Sequence, residues 1–222
     1  MTFAGMSPLE IIAVIVTIIG VWLMTARSLW NYPFSFLSVA LYAVFFYRIK
    51  LYADMGLQCI FAGTLLYGLW QWTHGRSASG EVVVARIQAR EVAVSVAAAL
   101  IVALGLGAFL YKRTDASFPW SDSMLLAGSL VGSVWGARRY LENWWVWILV
   151  DTLYVGLYVA KQAYPTAALY AAFVVLAALG WRRWQTAYAA QGRDAERPDS
   201  RTEPAPGTPP AANLSSLNPV AK

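Results

Sequence analysis

Charge is scarce in this chain. Only 13% of its 222 residues are Asp, Glu, Lys or Arg, whereas a soluble domain uses roughly 25% to cover its surface. Cysteine and histidine are scarcer still, with one of each. Cys59 lies inside an apolar run, which leaves no disulfide framework and no cysteine-based metal site. His74 ends another run, and no cluster of His, Cys and acids accompanies it, so metal-dependent chemistry is excluded. An intramembrane enzyme would need a nucleophile–base pair or a metal cluster, and a lone histidine supplies neither. No glycine-rich phosphate loop is present to power a pump. No cofactor is expected. The net charge of +5 is scattered over loops and tail rather than gathered into a patch, which argues against nucleic acid.

What the chain has instead is apolar sequence, 59% of the total. It falls into blocks of about the 17–25 residues that span a bilayer. Seven are expected, at 9–25, 33–47, 55–72, 92–111, 122–137, 144–160 and 165–181, which makes this an all-α integral membrane protein. The first block lacks a basic n-region and carries Glu10, so it reads as a retained helix and not a signal peptide. Pro33 suits the first turn of the second helix, where its missing N–H costs nothing. Asp54 and Thr166 are expected N-caps of the third and seventh. Residues 185–222 hold six prolines and no apolar period, the composition of a disordered tail.

Basic residues set the orientation. Arg27, Arg76, Arg86, Arg90, Arg138, Arg139, Arg182 and Arg183 fall on one side, and Arg48, Lys50, Lys112, Arg113 and Lys161 on the other. The bias predicts a periplasmic N-terminus and a cytoplasmic C-terminus.

Shifted by 112 residues, the chain aligns with itself without a gap. Arg27 falls on Arg139, Asn31 on Asn143, Tyr42 on Tyr154, Tyr52 on Tyr164, Phe61 on Phe173, Gly68 on Gly180 and Trp72 on Trp184. This predicts a first three-helix repeat (1–73), a linker helix (74–115), a second three-helix repeat (116–184) and the tail (185–222). An odd number of helices per repeat makes the two repeats parallel, a 3+1+3 plan. Such pairs are a transporter device, with substrate held between the halves near the midplane.

Within `NWWVWILVDTLYVGLY`, Asp151 stands about 12 Å into its helix at ~1.5 Å per residue. An acid at that depth must face protein or water, because lipid would cost it a few kcal/mol. Helical spacing puts Trp144, Trp147, Asp151, Tyr154 and Tyr158 on one stripe. Aromatic planes around an acceptor suit a flat, cationic ligand with hydroxyls. The competing reading is a clamp to a neighbouring helix's Ser, Tyr or Arg. The matching stripe in the first repeat is Tyr32, Ser35, Val39, Tyr42 and Phe46, with no acid, so the polar group is asymmetric. Gln58, aligned with Tyr170, is a second break, either an interhelical clamp or a ligand contact. Gly68/Gly180 and Trp72/Trp184 read as helix packing and interfacial anchors. Asn31 and Asn143 read as caps, while `WNYPF` leaves a gating role open for Trp30 and Asn31.

The segments `WNYPFSFLSVALYAVFFYRIKLYADMGLQ`, `GLWQW` and `ENWWVWILVDTLYVGLYVAKQAYPTAALYAAF` resemble the bacterial PnuC family of vitamin transporters, over residues 10–184. The resemblance implies a SWEET-like 3+1+3 fold in the inner membrane, a homotrimer, and facilitated diffusion of nicotinamide riboside trapped by cytosolic phosphorylation. It implies Gln58, Trp144, Trp147, Asp151 and Tyr154 as substrate contacts. `WNYPF` departs from the family's usual Trp-Pro opening, which weakens the carry-over to Trp30 and Asn31. Relatives that carry thiamine or deoxynucleosides remain alternatives. A SWEET-type sugar carrier fits the acidic, aromatic stripe less well.

Overall fold

A computed structural model describes residues 7–48, 50, 52–77, 80–113, 118–160 and 162–196, without the side chains at 52–54 and 194–196. The described residues form seven α-helices: α1 (Pro8–Thr25), α2 (Asn31–Arg48), α3 (Tyr52–His74), α4 (Ala89–Arg113), α5 (Pro119–Ala137), α6 (Asn143–Ala160) and α7 (Tyr164–Glu196). By length and composition α1, α4 and α7 are apolar enough to cross a membrane. The other four are 18 to 23 residues long and carry the tyrosines, tryptophans and serines that lower mean hydropathy.

Local chemistry accounts for the helix ends. Ser7 caps α1 in a reciprocal box: its Oγ accepts from Glu10 N–H at 3.2 Å, and its own N–H donates to the Glu10 carboxylate at 3.3 Å. Glu10 therefore serves as a capping residue. Pro33 lies in the first turn of α2, as expected. Thr166 does not cap α7, which starts two residues earlier at Tyr164, with Pro165 in its first turn. The Asp54 side chain and Lys161 lie outside the described residues.

Both turns of the first half have counterparts in the second at the 112-residue shift. α2 and α6 start at Asn31 and Asn143, and α3 and α7 at Tyr52 and Tyr164. Arg27 and Arg139 adopt left-handed φ of 56° and 63°, and Lys50 and Gln162 of 59° and 58°. None of the four is glycine, so each turn holds a side-chain-bearing residue in a conformation that costs energy without support from its surroundings.

Packing closes six of the helices into a ring. Each of α1, α2, α3, α5, α6 and α7 contacts the next in that order, and α7 returns to α1. Helices opposite one another in the ring (α1 and α5, α2 and α6, α3 and α7) make no backbone contact. α4 stands outside and packs on α5 alone, burying only Ala103 and Gly107. Glycines set the close approaches. A Cβ at Gly132 would stand 2.9 Å from the Trp147 indole, and one at Gly107 would stand 2.5 Å from Trp120.

The last helix differs from its expectation. Sequence composition places a disordered tail from residue 185, yet α7 continues to Glu196. At ~1.5 Å per residue its 33 residues span roughly 50 Å, more than the ~30 Å of a hydrocarbon core. Two contacts hold the extension: the Gln191 amide pairs with both backbone groups of Val84, and the Tyr188 ring lies under the Arg86 guanidinium at 6.0 Å. Residues 197–222 lie outside the described residues.

Candidate substrate-binding site

The burial pattern of α6 separates two faces. Trp145, Leu149, Leu153 and Val159 are exposed, whereas Trp144, Val150 and Asp151 are buried and Trp147, Tyr154 and Tyr158 are half-buried. The predicted stripe therefore faces protein along its whole length. Asp151 is 5% exposed, and among the described residues its carboxylate makes no hydrogen bond or ion pair. The neighbouring Ser, Tyr or Arg that a helix clamp requires is not engaged with it.

Above Asp151, toward the C-terminal end of α6, lies a tyrosine cluster. Tyr154 stacks on Tyr170 with centroids 4.5 Å apart at 24°, and Tyr158 lies 5.3 Å from Tyr170 at 13°. Phe173 meets the edge of Tyr170 at 6.0 Å. Tyr154 also lies near Ser129 of α5, and Tyr158 comes within electrostatic range of Tyr42 on the opposite helix α2. Tyr42 and Tyr154 stand six residues before the ends of α2 and α6, and Gln58 and Tyr170 six residues after the starts of α3 and α7, each about 9 Å in. Four elements of the ring thus contribute to one layer, one turn beyond Asp151. Gln58 is half-buried and makes no side-chain hydrogen bond among the described residues. It sits on α3, which does not neighbour α6.

Below Asp151 the ring is closed by indoles. Trp72 of α3 and Trp184 of α7 meet across it with centroids 5.7 Å apart. Tyr32 stands edge-on to Trp72 at 5.5 Å, and Trp144 edge-on to Trp184 at 5.4 Å. All four are at most 4% exposed. Trp72 Nε1 donates to Gly136 O at 3.0 Å, and Trp184 Nε1 donates to Met24 O at 3.2 Å. The sequence reading of this tryptophan pair as interfacial anchors is corrected here: their N–H groups meet carbonyls at the ends of α5 and α1, inside the protein, each of which also accepts a backbone N–H from the following turn. Trp144 joins this plug, and its own Nε1 is buried without a hydrogen-bond partner among the described residues.

The two gating candidates separate. Trp30 is 68% exposed at the rim, whereas Asn31 is buried. Asn31 Nδ2 donates to Ser28 O at 2.6 Å, and Asn143 Nδ2 donates likewise to Tyr140 O. Both asparagines thus brace the preceding turn with the amide N–H instead of accepting from the helix. Tyr170, Tyr158, Tyr42, Trp72 and Trp184 were not predicted as site residues. For Tyr170 a signal existed, since it is the partner of Gln58 at the one polar break in the third helix.

Comparison with known proteins fits a chamber of this kind. A family model described as nicotinamide mononucleotide transporter matches residues 7–186. The chain belongs to the nicotinamide mononucleotide transporter family. Within it, the chain is 24% identical to the nicotinamide riboside transporter PnuC of Escherichia coli K12 over 204 residues, 81% of this chain and 85% of that one. It is 30% identical to the riboflavin/roseoflavin transporter RibM of Streptomyces davaonensis over 162 residues, 71% and 75% of the two chains. A crystal structure of the vitamin B3 transporter PnuC superposes with a TM-score of 0.67 over 82% of each chain at 23% identity, which establishes the shared fold. Family membership makes this a multi-pass membrane protein and a transporter, not an enzyme.

Proposed function

We propose that this chain imports nicotinamide riboside across the bacterial inner membrane by facilitated diffusion, with phosphorylation in the cytosol preventing return. The observation that carries the reading is Asp151: a buried acid, unpartnered among the described residues, at mid-depth of the inward face of α6. A pyridinium ring carries a positive charge that an acid attracts, and a ribose carries hydroxyls that donate to it. Such a ring fits between tyrosine planes and indoles, where stacking and cation–π attraction add to binding. In this reading Asp151, Trp147, Tyr154 and Gln58 line the cargo, Trp144 closes the chamber beneath it, and Trp30 and Asn31 flank the inner mouth.

The same proposal treats the ring as two parallel three-helix repeats, 1–73 and 116–184, joined by a linker helix within 74–115, a SWEET-like 3+1+3 arrangement of seven spans. It places the arginine-rich loops and the C-terminus in the cytoplasm and the N-terminus in the periplasm. The paired turns at Arg27/Arg139 and Lys50/Gln162 support the repeat. Assembly as a homotrimer is part of the proposal, and the exposed apolar faces of α4 are compatible with either lipid or a second copy.

The likeness to the riboflavin transporter RibM favours a second reading, a neutral flat ring system held by the same tyrosines. Titration calorimetry of the purified protein against nicotinamide riboside, riboflavin, thiamine and thymidine separates the readings. Heat with nicotinamide riboside alone is expected. Heat with riboflavin alone would transfer the assignment, and silence with all four would remove it.

A further inference from the structure

The six-helix ring has two seams between its halves, α3 against α5 and α7 against α1. They occupy equivalent places in the repeat, and each carries the same indole-to-carbonyl bond, Trp72 to Gly136 and Trp184 to Met24. Segment 80–88, which leads into α4, breaks this equivalence. It crosses the arginine-rich face and is held by the two halves in different ways.

To the second half it is joined by backbone. Ala85 N–H donates to Arg139 O at 3.0 Å, and Leu141 N–H donates to Ala85 O at 2.9 Å, a parallel bridge. The Glu142 carboxylate accepts from Ile87 N–H at 3.1 Å and from Arg86 Nε at 2.9 Å. Arg139 Nη1 reaches Gly75 O at the end of α3, and Val83 N–H donates to that same oxygen at 3.1 Å. Glu91 at the start of α4 accepts from Tyr140 Oη at 2.7 Å and from Arg138 Nη1 at 3.3 Å. Burial and the bond to Glu91 raise the pKa of Tyr140 above its ordinary value, which keeps the hydroxyl a donor.

To the first half, segment 80–88 is joined at the end of α3 by backbone, through Val83 N–H and Gly75 O, but at the α1–α2 turn by one side chain. Arg27 Nη1 donates to Val82 O at 3.1 Å, and its Nη2 pairs with the Glu81 carboxylate at 3.2 Å. Glu81 is 66% exposed, so this ion pair is screened and weak. A cleft of about 510 Å³, lined by Arg27, Trp30, Arg76 and Glu81 among others, remains open on this side. In the second half, the position corresponding to Ser28 carries the Ala85 bridge.

We propose that the ring opens asymmetrically at the arginine-rich face: the α3–α5 seam stays welded by segment 80–88, the α7–α1 seam parts, and Arg27 is the latch. A cargo passing the indole plug needs Trp72 and Trp184 to separate. The less costly way is to break the few bonds at the α7–α1 seam, which are Trp184 to Met24, Arg183 Nη1 to Thr25 Oγ1 at 2.8 Å, and the two contacts of Arg27. Parting the other seam would also break the backbone bridge. The inference concerns the path of opening and does not depend on which vitamin is carried.

Two cross-links test it, in a Cys59→Ser background reconstituted into vesicles. Arg27→Cys with Glu81→Cys ties segment 80–88 to the first half, and Ala85→Cys with Tyr140→Cys ties it to the second. A short, reductant-cleavable bis-maleimide should lower uptake at least tenfold in the first pair, reversibly. It should change uptake less than twofold in the second. Loss in both pairs, in neither, or only in the second would overturn the proposal. If the unmodified protein takes up none of the vitamins tried, the cargo assignment fails and the path of opening is decided by hydrogen exchange instead. On the unmutated chain, the amides of Ala85, Ile87 and Leu141 should exchange at least tenfold more slowly than those of residues 26–28. Equal or reversed protection would overturn the proposal independently of cargo, and of whether the cysteine variants fold.

Discussion

Gly180 of α7 lies directly against Trp144 of α6, so close that a Cβ at Gly180 would stand 2.6 Å from the indole ring. The ring cannot retreat, because its edge already meets Trp184. Gly180→Leu should therefore destabilise the protein by roughly 1–3 kcal/mol, the usual cost of overpacking. Gly156, with nothing within 4 Å of its Cβ position, provides the control. Gly156→Ala should be neutral or stabilise by up to about 1 kcal/mol through helix propensity. Melting temperatures in one detergent compare the two, and equal shifts would contradict the packing described.

The indole plug makes a prediction about a single hydrogen. Trp184→Phe keeps an aromatic ring but removes the indole N–H that Met24 O accepts, leaving that oxygen only its backbone donor from the Arg27 turn. A net loss of about 1 kcal/mol is expected for the bond. If the plug seals the ring, the variant should also show a faster passive leak of cargo from loaded vesicles. A slower leak, or an unchanged melting temperature, would show that the bond contributes little.

Asp151 separates cargo recognition from structure. Asp151→Asn keeps the shape and removes the charge. A hydrogen bond to a charged group is worth roughly 1.5–3 kcal/mol, so a cationic cargo should bind about ten- to a hundredfold more weakly. A neutral one such as riboflavin should change little. Asp151→Leu should abolish binding of the cation while the melting temperature holds or rises, because a buried charge unpartnered among the described residues is exchanged for an apolar side chain. Normal affinity in both variants would take the acid out of the site.

Orientation is testable by topology reporters fused at residue 2 and beyond residue 200. Opposite readings are expected, periplasmic and cytoplasmic respectively, from the bias of arginine toward one face. Matching readings would mean an even number of crossings.

Much of the backbone was legible because the matching turns are written in residues with distinctive demands. Asn31/Asn143 and Arg27/Arg139 mark the same turn twice, and the structure gives both turns the same dihedral signs and the same amide brace. The inward stripe of α6 was legible from helical spacing. What the sequence could not convey was which helices are neighbours. Ring closure pairs α7 with α1, and no local pattern encodes that contact. For the same reason Trp72 and Trp184 were misread: a tryptophan at a helix end looks alike whether it faces headgroups or another helix's carbonyl. The extension of α7 past residue 185 was masked by the prolines downstream. Yet its own alanines favour helix, and Gln191 reaches Val84, a contact invisible in composition.

A closed ring also constrains how such a chain is made. The contacts that complete it join residues far apart in the chain: Arg183 with Thr25 across 158 positions and Trp184 with Met24 across 160. α1 enters the membrane first and must wait there, its Met24 and Thr25 unmet, until the last helix leaves the ribosome. At roughly 5–20 residues per second that interval is about ten to thirty seconds. During it the first three helices have a finished turn at Arg27 and no partner for Trp72, whose carbonyl acceptor at Gly136 is also still unmade. The newborn protein is thus an open arc for most of its synthesis, and the final helix converts it into a vessel with an inside.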